Sequence, residues 1–214
     1  MAKVRYKNVY IIIVTLLMAL VNAVPAIAGG EAPASVAGQV VFAVGDAYVV
    51  GPSGPQKATA GSIVLAGDRL VTGVNGYVHL RMADGAFLGV RSDSLIEINE
   101  YMFDITKPEN GRVRLFLKEG TVRAISGRIA QENKQNFRLN TPLAAIGIRG
   151  TDFVAAADQG STQVAVTSGG VSMSPYGSQC VVVELGSCLS DNVIDLNAKR
   201  VNSFLVVRQG QNAV

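Results

Sequence analysis

Residues 77–98 read YVHLRMADGAFLGVRSDSLIEI. Val78, Leu80 and Met82 alternate with Tyr77, His79 and Arg81, and a period of two gives a strand one dry face and one wet face. Asp84-Gly85 then turns the chain. Phe87 to Val90 reads as the next strand. In a third, Ile96 and Ile98 point one way while Glu97 and Asn99 point the other. Three short strands in so short a stretch predict an all-β fold.

The same grammar extends in both directions. Upstream, Val40, Phe42 and Val44 precede Gly45-Asp46 and then Tyr48 to Val50. Gly51-Pro52-Ser53-Gly54-Pro55 is a turn cluster, followed by Ser62 to Leu65, Gly67-Asp68, Leu70-Val71 and Asn75-Gly76. Downstream, Tyr101 to Glu109 is irregular. Val113, Leu115 and Leu117 then alternate with Arg112, Arg114 and Lys118. Glu119-Gly120 leads into Val122 and Ala124, with Thr121 and Arg123 opposite. Arg128 to Gln135 is polar and fits a loop or one helical turn. Phe137, Leu139, Ile146, Ile148, Phe153, Val164, Val166, Val171 and Met173 carry the pattern onward.

Turn signals recur about every 8–12 residues, the interval of sandwiches, barrels and β-solenoids alike. The absence of Trp and the 23 glycines agree with a fold of short strands. No exact repeat is visible. Residues 38–174 form the expected main domain and 175–214 a C-terminal β appendage. In the appendage, Val181-Val182-Val183 and Leu205-Val206-Val207 are candidate strands, and Asp191 to Ser203 is a polar loop or short helix.

Lys3, Arg5 and Lys7 precede an apolar run from Val9 to Val21, and Ala26-Ile27-Ala28 supplies small residues at a cleavage spacing. Residues 1–28 therefore read as a signal peptide and 29–37 as a linker. The run is short for a spanning helix, Pro25 breaks it just before the small residues, and no Cys comes after it. No second long apolar run exists, so no transmembrane span is expected after cleavage. The expected location is the periplasm, or beyond the cell. The net charge of +3 belongs to the leader: without its three basic residues, 16 Lys+Arg face 16 Asp+Glu. Nucleic acid is then not an expected partner. Cys180 and Cys188 lie in the exported part, where disulfides persist, and their spacing suits a hairpin staple; two free, partly buried thiols are the alternative.

Catalytic constellations are absent from the pattern. His79 is the only histidine, so no metal cluster is expected, and no nucleophile elbow accompanies it. No cofactor motif is present. Asp84, Asp93, Glu97 and Glu100 are better read as turn caps and surface charges than as a glycosidase pair. Gly45, Gly67, Gly85 and Gly150 read as turn residues. The expectation is a binding or structural module rather than an enzyme. Arg149, at a strand end, is expected to be partly buried and bonded to strand-end carbonyls or to Asp152, with contact to a partner's carboxylate as the alternative. Thr141-Pro142 reads as a strand end. Arg112, Arg114 and Arg123, with Lys118, form a candidate basic face for an anionic polymer or partner, against the alternative of a solvated face. Tyr48, Tyr77 and Tyr101 are candidate platforms for sugars.

The ordered short motifs resemble the FecR domain family. They run from Gly38-Gln39-Val40 and Val44-Gly45-Asp46 through Gly67-Asp68-Arg69-Leu70-Val71-Thr72-Gly73, Asn75-Gly76-Tyr77-Val78, Asp84-Gly85 and Ser94-Leu95-Ile96-Glu97-Ile98. The second half supplies Leu117-Lys118-Glu119-Gly120-Thr121-Val122-Arg123, Phe137-Arg138-Leu139-Asn140-Thr141-Pro142, Ile148-Arg149-Gly150-Thr151-Asp152-Phe153, Val164-Ala165-Val166 and Gly170-Val171. The resemblance covers residues 38–173. It implies a periplasmic all-β module of twisted, solenoid-like short strands. In iron-uptake regulators of that family the module relays contact with an outer-membrane receptor to a cytoplasmic sigma factor. With a cleaved leader and no anti-sigma helical region expected here, the resemblance carries over the module and not the circuit. The matching Gly67, Asp68, Thr141, Pro142, Arg149, Gly150 and Thr151 are expected to be structural. The implied partner is an envelope protein. The alternative is an envelope glycan, either peptidoglycan or exopolysaccharide.

Overall fold

A computed structural model of the chain describes residues 35–177, 180–182, 185–188, 193–198 and 204–210. The leader, and the linker up to residue 34, lie outside the described residues. The described residues are mostly strand: β1 (Val36–Val44), β2 (Ala47–Gly51), β3 (Gly54–Lys57), β4 (Ile63–Leu65), β5 (Arg69–Thr72), β6 (Tyr77–Met82), β7 (Phe87–Val90), β8 (Ser94–Met102), β9 (Arg112–Ile125), β10 (Phe137–Asn140), β11 (Ala144–Ile148), β12 (Asp152–Ala157), β13 (Ser161–Ser168), β14 (Gly170–Pro175), β15 (Ile194–Asn197) and β16 (Phe204–Arg208). One short helix, α1 (Arg128–Glu132), fills the polar stretch after β9.

The strands make one open mixed sheet, and no pairing closes it into a barrel. It divides into two layers that share β9. The first runs β4-β1-β6-β7-β9-β12-β13-β16 and the second β3-β2-β5-β8-β9-β10-β11-β14-β15. All pairs are antiparallel except β9 with β10. Val78, Leu80, Leu88, Val90 and Val122 of the first layer join Leu70, Ile96, Ile98, Leu115 and Leu117 of the second in one buried cluster. Each such side chain contributes about 1.5–3 kcal/mol on full burial.

Strand β9 changes its inward parity midway. Val113, Leu115 and Leu117 are buried in its first half, Val122 and Ala124 in its second. A register shift opposite Leu95 and Ile96, with Gly120 at φ +91°, absorbs the extra residue. A side chain at Gly120 would collide with Ser94 and Asp93.

Between the layers lies a buried polar node. Asp84 is 3% exposed. Its Oδ1 accepts the Tyr101 hydroxyl at 2.9 Å and the Ala86 N–H at 3.1 Å, and its Oδ2 accepts the Ile129 N–H at 3.3 Å. The Asp84 N–H in turn donates to the Tyr101 oxygen at 2.9 Å. Burial, reinforced by the Asp84 charge, pushes the Tyr101 phenol far above its usual pKa.

Some local expectations change. The first strand begins at Val36, two residues before Gly38 and inside the expected linker. Tyr101 belongs to β8 instead of an irregular segment. Val181 and Val182 are not in a strand, and Val183 lies outside the described residues. Residues 194–197, expected in a loop or helix, are strand β15, while Leu205 to Val207 do lie in a strand. Among residues 191–203, only 193–198 are described.

Cys180 and Cys188 form a disulfide, with Cα atoms 5.3 Å apart. Their loop covers the outer face of β10, β11 and β14. Arg138 Nη2 donates to the Val181 carbonyl at 2.7 Å, the Asn140 amide donates to the Val182 carbonyl at 3.0 Å, and Ser172 pairs with Ser187 at 2.6 Å. Arg138 and Asn140, at alternate positions that the pattern puts on a wet face, are therefore fully buried.

The Asp84 node generates a graded prediction. Tyr101→Phe loses two buried hydrogen bonds, one to the Asp84 carboxylate and one from the Asp84 N–H, and is expected to cost about 2 kcal/mol, whereas Asp84→Ala strands three donors and is expected to cost about 3 kcal/mol or more. Urea unfolding of both variants measures this, and equal losses would contradict the node.

Candidate functional site

The motif residues Gly67, Asp68, Thr141, Pro142, Arg149, Gly150 and Thr151 lie at turns and strand ends, where most of them make local backbone contacts. Gly67 takes φ +93° in a turn, and Asp68 Oδ2 accepts the Leu65 N–H at 2.8 Å. Thr141 Oγ1 accepts the Ala144 N–H at 3.0 Å and pairs with Thr162 at 2.7 Å; half-buried Pro142 comes next. Thr151 Oγ1 accepts the Arg149 N–H at 3.1 Å and donates to the Gly170 carbonyl at 2.7 Å, while Gly150 sits at φ +65°. The Arg149 side chain departs from expectation. It is exposed and meets Asp195 on β15 at 3.3 Å. Asp152 is already taken by Arg123, whose Nε and Nη2 donate to its two oxygens at 2.9 and 2.6 Å.

The expected basic face does not exist as one surface. The parity change in β9 sends Arg112 and Arg114 out of the second layer and Arg123 out of the first. The second-layer cations are also matched locally. Glu100 faces Arg112 at 3.9 Å and Arg114 at 3.4 Å, and Glu97 faces Lys118 at 3.6 Å. Those same contacts place Glu97 and Glu100 in surface ion pairs, with Asp84 in the buried node. Asp93 occupies a turn at φ +50°. Of the tyrosines, Tyr101 is 1% exposed and closed to any ligand. Tyr48 lies on the second layer, with Lys57 Nζ 5.6 Å from its ring centre. Tyr77 reaches a concave surface.

That surface is the outer face of the first layer. Outward positions of β6 bring Tyr77, His79 and Arg81 to it. The register sets His79 between Phe42 and Gly89, Gly89 beside Arg123, and Phe87 between Arg81 and Ile125. Gly89 removes one side chain from the lattice. A Cβ there would lie 3.2 Å from the Tyr77 hydroxyl oxygen and 3.5 Å from His79 Cδ2. Gly89 is the floor of a small solvent-open cleft of about 90 Å³, lined by Tyr77, His79, Phe87, Arg91, Arg123 and Ile125. The His79 ring stands 4.7 Å from Tyr77 and 4.6 Å from Phe87, tilted at 56° and 79°. The Tyr77 hydroxyl bonds His79 Nε2. Arg81 and Arg91 are exposed and make no ion pair among the described residues.

Sequence alternation identifies Tyr77, His79 and Arg81 as outward. It does not bring Phe42, Gly89, Arg91 and Arg123 to them, because that takes the pairing of four strands. No group of three metal-ligating side chains occurs among the described residues. No described helix is long and apolar enough to cross a membrane.

Burial of the ring, aided by the Arg123 charge, holds His79 below the usual imidazole pKa. Its ring resonances are therefore expected to titrate below 6.5, staying neutral at pH 7. In Arg123→Gln the midpoint should rise only part of the way, since burial is the larger cause. An NMR midpoint above 6.5 in the wild type would contradict this environment.

Residues 68–172 match the family model described as FecR protein. No curated protein matches the chain. Two crystal structures of a proposed anti-sigma factor from Parabacteroides distasonis ATCC 8503, at 2.50 and 1.65 Å resolution, are similar to it. Each is 13% identical, with TM-scores of 0.49 and 0.47, and each alignment covers 68% of this chain and 57% of that one. The chain thus matches less than two thirds of that protein's length. The family match shows a FecR domain over residues 68–172 of the chain.

Proposed function

We propose that the chain is an exported, periplasmic binding module of the bacterial envelope, not an enzyme, and that it meets a protein partner through the outer face of its first layer. One observation carries the choice of face. Arg81 and Arg91 stand among aromatic rings there without a carboxylate among the described residues, while the second layer's Arg112, Arg114 and Lys118 face Glu100 and Glu97. Solvated cations beside apolar rings are inexpensive to present to an acidic partner, and they steer its approach. The basic-apolar-small pattern of residues 1–28 supports export.

Two measurements test this. The mature protein is expected in the osmotic-shock fraction, with an intact mass beginning at Gly29; recovery in the cytoplasm at full length overturns the export. A photo-crosslinking residue in place of Arg81 is expected to capture a discrete envelope protein, and one in place of Arg69 on the other layer is not. Capture from position 69 and none from 81 overturns the assignment of the face.

A further inference from the structure

Resting on that reading and deepening it, we infer that the Gly89 cleft is a receptor for an acidic side chain flanked by apolar residues, supplied by an extended peptide segment of the partner. The cleft has two chemical halves. Tyr77, His79, Phe87 and Ile125 give apolar walls, and Arg91 and Arg123 bring guanidinium groups to the same space. Both guanidinium groups are donors only. Arg123 is held by its bidentate contact with Asp152, so its charge is largely met. Arg91 is exposed, with no ion pair among the described residues, and supplies the unmatched charge.

The lining decides the ligand class. A sugar ring calls for an exposed, flat aromatic face and for acceptors as well as donors around its hydroxyls. Here His79 meets Tyr77 tilted at 56° and Phe87 edge to face at 79°, so the three rings pack on one another. The Tyr77 hydroxyl is engaged with His79 Nε2, no carboxylate is among the described lining residues, and Asp152 beside Arg123 is already bound by it. A carboxylate, by contrast, needs donors alone and forms charge-assisted bonds with a guanidinium. Apolar side chains on either side of it would lie against Phe87, Ile125 and the outward ring of Phe42, which is 48% exposed. Gly89 lines the cleft, with the Tyr77 hydroxyl oxygen and His79 Cδ2 3.2 and 3.5 Å from where its Cβ would lie, so a larger residue there would press on both rings. Arg81, one residue pair along the sheet beside Phe87, extends the same charge to a second acidic position.

The test uses the mature protein and three capped hexapeptides that alternate leucine with glutamate, glutamine or lysine. Binding is tracked by chemical-shift changes at the Gly89 amide and the His79 ring. The glutamate peptide is expected to shift both. The glutamine and lysine peptides are expected to bind at least about tenfold more weakly, the loss of one charge-assisted contact. Arg91→Glu, at an exposed position that leaves the core untouched, is expected to weaken the glutamate peptide by about tenfold or more, while Lys134→Glu, an equal charge change at a remote exposed site, leaves it unchanged. Gly89→Ala should also weaken binding by raising the floor. Equal binding of the glutamate and glutamine peptides overturns the proposal, as does shift confined to residues outside the cleft. Tighter binding of tri-galacturonic acid at the same resonances overturns the peptide in favour of an anionic glycan. Failure of the peptides while the residue at position 81 still captures an envelope protein removes the cleft's role and leaves the interaction face standing.

Discussion

The fold depends on one strand serving two layers. β9 pairs β8 and β10 through its first half and β7 and β12 through its second. For one strand to present a dry face to the core from both layers, its alternation must slip by one residue between Leu117 and Val122. The slip is absorbed in backbone geometry at Gly120, which a side chain could not occupy beside Ser94. Ser94 then closes the joint: its hydroxyl accepts the Thr121 N–H at 2.9 Å and its N–H donates to the Thr72 hydroxyl at 3.0 Å. A single bulge thus sets where every neighbouring strand lies. It also decides that Arg112 and Arg114 leave the molecule on one side and Arg123 on the other.

That slip explains what alternation can reveal and what it hides. Within β6, the first five residues of β8 and each half of β9, a period of two assigns inside and outside correctly, because those stretches have one buried face and one more exposed face. The same rule fails at Arg138 and Asn140. Their strand has no solvated face, since the Cys180–Cys188 loop folds over it from some 40 residues downstream. It fails at Arg149 for a related reason. A local partner, Asp152, was within reach along the chain, but cross-strand pairing gave Asp152 to Arg123 and left Arg149 for Asp195. Tyr101 goes the same way, drawn inward by Asp84, a residue from the preceding hairpin. Turns, strand faces and the domain's motifs are local properties and are legible. Burial by a covering loop and the choice among equally near charges are set by contacts far apart in sequence.

The candidate cleft belongs to the second class. Each of its residues is ordinary alone: a strand histidine, a glycine in an apolar run, an arginine after it. The register makes them a site, because Gly89 falls opposite His79 on one side and Arg123 on the other. Two aromatic neighbours then keep the His79 ring partly out of water, and the Tyr77 hydroxyl fixes its Nε2. A neutral imidazole suits this place, since a third cation beside Arg91 and Arg123 would add repulsion to the cost of desolvation.

The two outer faces consequently differ in what they can still bind. On the second layer, the disulfide loop covers β10, β11 and β14, and Tyr176, its phenol pushed up to about 12 by burial, bonds Asn140 beneath that loop at 2.9 Å. Arg112, Arg114 and Lys118 of that layer face glutamates on the adjacent strand, and Lys118 also lies 4.0 Å over the Phe116 ring. A partner docking there would have to displace contacts already made, at a desolvation cost on both sides. On the first layer, Arg81 and Arg91 carry charge that no described carboxylate meets, beside rings that are part-exposed. Docking an acidic segment on that face breaks no internal ion pair and removes apolar surface from water, so the free energy of association falls to the face that the fold has left unmatched.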